Sequence, residues 1–241
     1  MITNARSSRL VVISDLHLGN PFSRGRHDAI KFLKWAATHD YDICINGDGL
    51  EIAQVSFTKL AVELPDVVRT LKEINKMGRN VYYVVGNHDM ALEHFLEDWG
   101  PLKVCPFLNL VSGKKRIRIE HGHLYDPFFV NSPTLYELAT RFGGVLLAIH
   151  PQIYRLWIAF EKLKAKFRTR KAGIEGEPPE FEDAAIEITR RGFDAVIFGH
   201  THHGGHVALA DNKEYLNSGS WLLSCDYIEI VNGHIQHRKW N

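Results

Sequence analysis

Residues 9–19 read RLVVISDLHLG. The β-branched run Arg9–Ile13 stops at Ser14-Asp15, as a buried strand does where it leaves a core. In extended backbone the side chains at i and i+2 point the same way, so Asp15 and His17 present a carboxylate and an imidazole towards one centre. The pattern recurs along the chain. Asp42–Asn46 (DICIN) ends at Gly47-Asp48, and Val81–Val85 at Gly86-Asn87-His88-Asp89. Ile117–Glu120 ends at His121-Gly122-His123, and Ala195–Phe198 at Gly199-His200-Thr201-His202. In open α/β sheets ligands bind where the carboxyl ends of the strands converge, and all five strands end in Asp, His, Asn and Gly.

Between these strands the spacing predicts helices over Asp28–Thr38 and Thr58–Met77, the second closed by Gly78 as a C-cap. Asp226–Val231 and His234–Arg238, joined by Asn232-Gly233, read as a hairpin with a type I′ turn. Strands alternating with helices predict an α/β layered fold with mixed sheets. At 241 residues the chain has the size of one large domain, enough to bury roughly three quarters of its unfolded surface. Cys44, Cys105 and Cys225 form no CxxC pair, which argues against a disulfide framework and for a reducing compartment. Met1 to Arg9 lack the apolar run of a signal peptide. Phe142–Phe160 is too interrupted by Gly143, Gly144, His150, Pro151, Gln152 and Arg155 to supply the about 20 apolar residues of a spanning helix. The reading is a cytoplasmic protein. A net charge of +1 gives no global field for nucleic acid, which is not expected as the primary partner.

Histidine is in excess, with 14 in the chain. Taken singly, D-x-H, GNHD and GHTH each read as ordinary turns; five together at strand ends point to metal chemistry. Imidazole nitrogen with carboxylate oxygen suits Mn, Fe, Zn or Co, whereas an all-oxygen set suits Mg or Ca. Seven candidate ligands are too many for one tetrahedral ion. They suffice for two if a carboxylate bridges, and a pair about 3.5–4 Å apart is the usual arrangement for displacement at phosphorus. Glycines 47, 86, 122 and 199 let the backbone pass close to such ions.

The motifs DLHLG, GDG, GNHD, HGH and GHTH, running from Asp15 to His202, resemble those of the calcineurin-like metallophosphoesterases. The resemblance implies a two-sheet α/β sandwich flanked by helices and a dinuclear site of two divalent metal ions. The first ion would be held by Asp15, His17, Asp48 and His202, the second by Asp48, Asn87, His121 and His200, with Asp48 bridging. His88 would stand above the pair as general acid or charge stabiliser, oriented by Asp89, and the attacking group would be a metal-bound hydroxide.

Residues 131–183 are read as a helical lid insertion within a single domain covering 1–241. Within it, 152–171 has Ile153, Leu156, Trp157, Phe160, Leu163 and Phe167 at helical spacing, and Glu161–Lys171 carries six basic residues against one acidic. An apolar face with a basic end suits an anionic membrane surface; a cap packed over the sandwich is the other reading. The acidic stretch Glu175–Asp183, with Pro178 and Pro179, reads as a flexible return linker. A helical insert at this place resembles the UDP-2,3-diacylglucosamine pyrophosphohydrolases. That branch implies manganese (iron or zinc being the alternatives), a nucleotide-linked lipid substrate, a role in lipid A biosynthesis, and peripheral contact with the inner membrane surface through 152–171. The chain departs from the branch at His88, where Arg is common, at His121-Gly122-His123 in place of HGD, and at Gly49-Leu50-Glu51 in place of a longer acidic run. Two rivals stand beside this reading: a broad-specificity phosphodiesterase or phosphatase for soluble substrates, and a non-catalytic scaffold, whose signature would be missing ligands. His123 is open between a hydrogen-bond partner for the ligands and a substrate contact.

Overall fold

The computed structural model describes residues 3–20, 25–95, 97–100, 102–149, 159 and 173–241. The run Arg9–Ile13 forms a strand buried on both faces, with Leu10 and Val12 facing one way and Val11 and Ile13 the other. Such a strand must lie between two covering layers, and the remaining elements supply them.

The strands are β1 (Thr3–Arg6), β2 (Arg9–Ile13), β3 (Asp42–Asn46), β4 (Val81–Val84), β5 (Glu97–Trp99), β6 (Leu102–Cys105) and β7 (Leu108–Ser112). They continue with β8 (Lys115–Ile119), β9 (Ala195–Phe198), β10 (Gly205–Ala208), β11 (Glu214–Asn217), β12 (Asp226–Val231) and β13 (His234–Lys239). The helices are α1 (Gly25–Thr38), α2 (Phe57–Lys76), α3 (Pro127–Asn131), α4 (Pro133–Ile149) and α5 (Pro179–Arg190). One sheet has the order β13-β12-β2-β3-β4-β6-β5 and the other β1-β7-β8-β9-β11-β10. Strands β2, β3, β4 and β6 run parallel, as do β8, β9 and β11.

Period-two alternation decides the layering. Leu10, Val12, Cys44 and Val84 meet Leu110, Ile117, Ile119 and Ile197 between the sheets. Val11, Ile13, Ile43 and Ile45 turn outward to Phe32 and Leu33 of α1 and Val67, Leu71 and Ile74 of α2. On the far side Phe181, Ala185 and Ile188 of α5 cover Val196, Phe198 and Tyr215. The result is the mixed α/β sandwich of two sheets flanked by helices that the motif order implies.

One expectation changes in the second half of the chain. Glu175–Asp183 is no free linker: Pro179 to Asp183 open α5, whose Phe181 is fully buried, and Glu177 is itself buried. Pro at the first helical position costs no hydrogen bond, and Glu180 and Glu182 complement the positive end of the helix. The basic helix expected over 152–171 lies, except for position 159, outside the described residues. No described helix is long and apolar enough to cross a membrane.

Candidate metal centre

Because β2, β3 and β4 run parallel in one sheet and β8 and β9 in the other, their carboxyl ends open at one edge of the sandwich. The loops there are stitched together: Asp15 N–H donates to the Gly47 carbonyl (3.1 Å), His17 N–H to that of Asp48 (2.9 Å) and Gly199 N–H to that of His121 (3.0 Å). Asp15 and His17 share a direction, but not through extended backbone. Asp15, His17, Asp48, His200 and His202 all have left-handed φ, between 46° and 65°. For residues other than glycine this conformation costs roughly 1–3 kcal/mol each and persists only where its surroundings over-determine it. Five of the ten described non-glycine residues with left-handed φ are thus candidate ligands.

The structure brings all seven predicted side chains together in two groups. In the first, Asp15, His17 and His202 place one ligand atom each within 4.8 Å of one another. In the second, Asp48, His121 and His200 do the same, and the Asn87 amide oxygen lies 3.1 Å from His121 Nε2 and 2.8 Å from His200 Nδ1. Asp48 stands between the groups, its Oδ2 4.0 Å from His17 Nε2 and 3.3 Å from His121 Nε2. His17 Nε2 is buried without a hydrogen-bond partner, and Asp15 Oδ1, 3.9 Å from it, is 3.1 Å from His202 Nε2. An unpaired buried polar atom is costly, and these three converge as donor atoms for a cation do. The mixed nitrogen and oxygen set fits a divalent transition metal.

Two glycines permit the approach. A Cβ at Gly86 would stand 2.2 Å from Asp48 Oδ1, and one at Gly47 2.3 Å from His121 Nδ1. The space that glycine leaves is thus filled by ligand side chains.

Outer contacts aim the imidazoles. His121 Nδ1 donates to the Asn46 carbonyl (2.8 Å), which turns its Nε2 inward. Glu51 grips two rings at once, His17 Nδ1 at 2.7 Å and His88 Nδ1 at 2.5 Å. The partner of His88 is therefore Glu51 and not Asp89. The Asp89 carboxylate is spent elsewhere, accepting from Gly86 N–H (2.7 Å), Leu50 N–H (3.3 Å) and the Tyr83 hydroxyl (2.5 Å). Glu51, three residues after Asp48, is the functional side chain that the sequence reading passed over, as are Asp126, which accepts from His200 Nε2 (2.9 Å), and Tyr136, whose hydroxyl accepts from Asn87 Nδ2 (2.8 Å). His123 is buried, its Nδ1 without a hydrogen bond, and stands edge-on to Phe129.

Charge follows geometry. Burial opposes ionisation of Asp48, yet the imidazoles of His121 and His88 outweigh it and hold this carboxyl well below its usual range. Burial likewise opposes protonation of His17 and His121, but Glu51 lifts the first to about 9 and Asp48 the second to about 10. Burial pushes His123 down to about 3, with the neighbouring His121 and His200 adding to the shift. Burial, with the Asp48 charge behind it, raises Asp89 to about 6.

A pH dependence follows. At pH 7 His17 and His121 carry protons that a cation must displace, so metal uptake is expected to release about one proton per imidazole. Apparent affinity then rises as pH climbs towards 9 and 10 and falls as it drops. Calorimetric Mn2+ titration in buffers of different ionisation enthalpy measures the release; uptake without proton release would contradict these protonation states.

Clustered imidazoles and carboxylates at the strand ends of a mixed two-sheet sandwich make a candidate metal centre. The chain belongs to the calcineurin-like phosphoesterases, whose family model matches residues 8–204; these are metal-dependent hydrolases of phosphoester bonds. Among solved structures, a hypothetical protein of Pyrococcus horikoshii is 10% identical over 96% of this chain and 87% of that one, with a TM-score of 0.51. A predicted phosphoesterase of Streptococcus pneumoniae is 14% identical over 97% and 98%, with a TM-score of 0.40. Vacuolar Protein Sorting 29 of Cryptosporidium parvum is 15% identical over 96% and 97%, with a TM-score of 0.45. At such identity the first is a likeness of fold alone. No curated protein matches the sequence.

Proposed function

We propose that this chain hydrolyses a pyrophosphate or phosphodiester bond with two divalent cations, Mn2+ foremost, in a substrate that carries an apolar portion. Asp15, His17, Asp48 and His202 would hold one cation and Asp48, Asn87, His121 and His200 the other. The observation that carries the reading is the position of Asp48, within reach of an imidazole from each group. When bound, such a pair activates water and neutralises charge on phosphoryl oxygens. The chain's own residues supply the rest. Glu51 holds His88 at the mouth of the site, and the His88 backbone N–H donates to Asp48 Oδ1 (2.8 Å). That fixes an imidazole where a leaving oxygen needs a proton or a hydrogen bond.

The apolar portion is inferred from α3 and α4. Leu135, Leu138, Phe142 and Val145 recur at helical spacing on α4 and are each more than half exposed, and Phe128 of α3 is exposed as well. Tyr136 of the same helix lies off this stripe and touches Asn87 (2.8 Å), so α4 packs against the site by one side and presents the apolar residues on the other. A lipid-linked diphosphate, of which a nucleotide-linked diacylglucosamine is one example, would lay its chains there, and the basic run of 161–171 suits an anionic membrane surface.

The test compares two substrates in the presence of Mn2+. Leu138→Ser with Phe142→Ser is expected to reduce kcat/KM on a lipid-linked diphosphate about 10-fold or more, the transfer energy of two buried side chains, while leaving a small chromogenic diester unaffected. Equal loss on both, or none on the lipid, favours the soluble-substrate phosphodiesterase. No Mn2+-dependent turnover of either would refute the hydrolase itself.

A further inference from the structure

The loop bearing His200 and His202 is held by two carboxylates, one before and one after α3 and α4 in the chain. Asp126 divides its carboxylate: Oδ1 accepts from Phe128 N–H (2.8 Å) and caps α3, while Oδ2 accepts from His200 Nε2 (2.9 Å). The buried Glu177 accepts from the hydroxyls of Thr201 (2.9 Å) and Tyr215 (2.7 Å) and from Asn217 Nδ2 (2.9 Å). Asn217 Nδ2 in turn reaches the Gly199 carbonyl (2.8 Å). Asp126 and Glu177, 51 positions apart in the chain, thus seize neighbouring residues.

Their target is the most constrained part of the site. Thr201 lies between two left-handed residues, His200 (φ 65°) and His202 (φ 63°), and its N–H closes a tight turn onto Gly199 (2.7 Å). Such a backbone holds its shape only when other contacts over-determine it, and the Glu177–Thr201 bond is one. For His200 the effect is electronic as well. A proton on Nε2, donated to Asp126, leaves the Nδ1 lone pair directed at the Asn87 and Asp48 side, and a carboxylate behind an imidazole raises its basicity as a ligand.

We propose that Asp126 and Glu177 are positioning residues for the metal loop: Asp126 sets the tautomer and aim of His200, and Glu177, through Thr201, sets the spacing of His200 from His202. This rests on the reading of both histidines as ligands. The segment between these two carboxylates is thereby tied to the metal loop at each of them, and the two ties set how tightly the cations are held.

The experiment is a stepwise Mn2+ titration of the full chain, with thermal melts run alongside. The wild type is expected to take up two cations. Asp126→Asn, which keeps a cap for α3 but removes the charge behind His200, is expected to weaken one step about 10- to 100-fold and leave the other. Thr201→Val, which removes the hydroxyl held by Glu177, is expected to weaken both steps, and Thr201→Ser to restore them. Unchanged titrations in Asp126→Asn and Thr201→Val, with melts like the wild type, would overturn the proposal. So would a Thr201→Ser variant as weak as Thr201→Val. A wild type that binds fewer than two cations would instead overturn the ligand reading beneath it, before any variant is compared.

Discussion

Asp48→Ala is expected to bind neither cation tightly and to lose turnover by about 10^3-fold or more. The size follows from what a shared carboxylate does. A cation at a phosphoryl oxygen supplies several kcal/mol of charge stabilisation, and each 1.36 kcal/mol is roughly tenfold in rate. Asp48 lies 3.3 Å from His121 and 4.0 Å from His17, so its removal takes a ligand from both groups and brings together imidazoles that it had separated. The variant also frees the His88 backbone N–H, which Asp48 Oδ1 accepts. Elemental analysis of the purified variant beside its kinetics on a chromogenic diester measures both losses. Retention of two cations with full turnover would remove Asp48 from the centre and the two-cation arrangement with it. Asp48→Asn is the companion variant: it keeps the hydrogen bond to His88 and the shape, so its loss reports charge and not collapse.

The strands that carry these ligands were legible because each is a short β-branched run broken by a polar cluster, and β3 and β9 fall at the residues the sequence indicates. The strands missed are β1, β5, β6, β7, β10 and β11. β1 (TNAR), β5 (EDW) and β10 (GHVA) are three or four residues long, lie at sheet edges and are polar or half-buried, so pairing and not pattern makes them strands. β6 (LKVC), β7 (LNLVS) and β11 (EYLN) lie inside the sheets and are mostly buried, but each is short, interleaves polar residues and ends in none of the ligand clusters by which the other strands were found. Nor could the sequence divide the strands between sheets, since a run such as LVVI is apolar on both faces whichever sheet it joins. The site divides in the same way. The seven candidate ligands announce themselves by residue type at a strand end. Glu51, Asp126 and Glu177 do not, because a carboxylate becomes a positioning group only through the imidazole or hydroxyl it meets, and for Asp126 and Glu177 that partner lies 74 and 24 residues away. The same blindness assigned Asp89 to His88: adjacency in sequence suggested a pair, while the fold sends Asp89 inward to Tyr83 and brings Glu51 across from the neighbouring loop.

His88→Ala is expected to keep its cations and lose about 10^2- to 10^4-fold in kcat, the range for removal of a positioned acid or hydrogen-bond donor. The prediction discriminates because geometry allows a competitor: His17, Asp48 and His88 also place one ligand atom each within 4.8 Å, so His88 could be a ligand in its own right. His88 Nδ1 is bound to Glu51 at 2.5 Å, as His17 Nδ1 is at 2.7 Å, and the two rings meet edge to face with centroids 4.8 Å apart. A carboxylate on Nδ1 leaves Nε2 available in both, so geometry alone does not choose between the roles. Metal content decides between the roles. Two cations retained with a large fall in kcat assign His88 to the leaving group; loss of one cation assigns it to the metal. Glu51→Gln separates the pair further. Glu51 holds a ligand on one oxygen and His88 on the other, so its substitution should weaken one cation and slow turnover together, where His88→Ala slows turnover alone. If the two variants show the same metal loss, Glu51 and His88 act as one ligand assembly, and the acid must be sought elsewhere in the site.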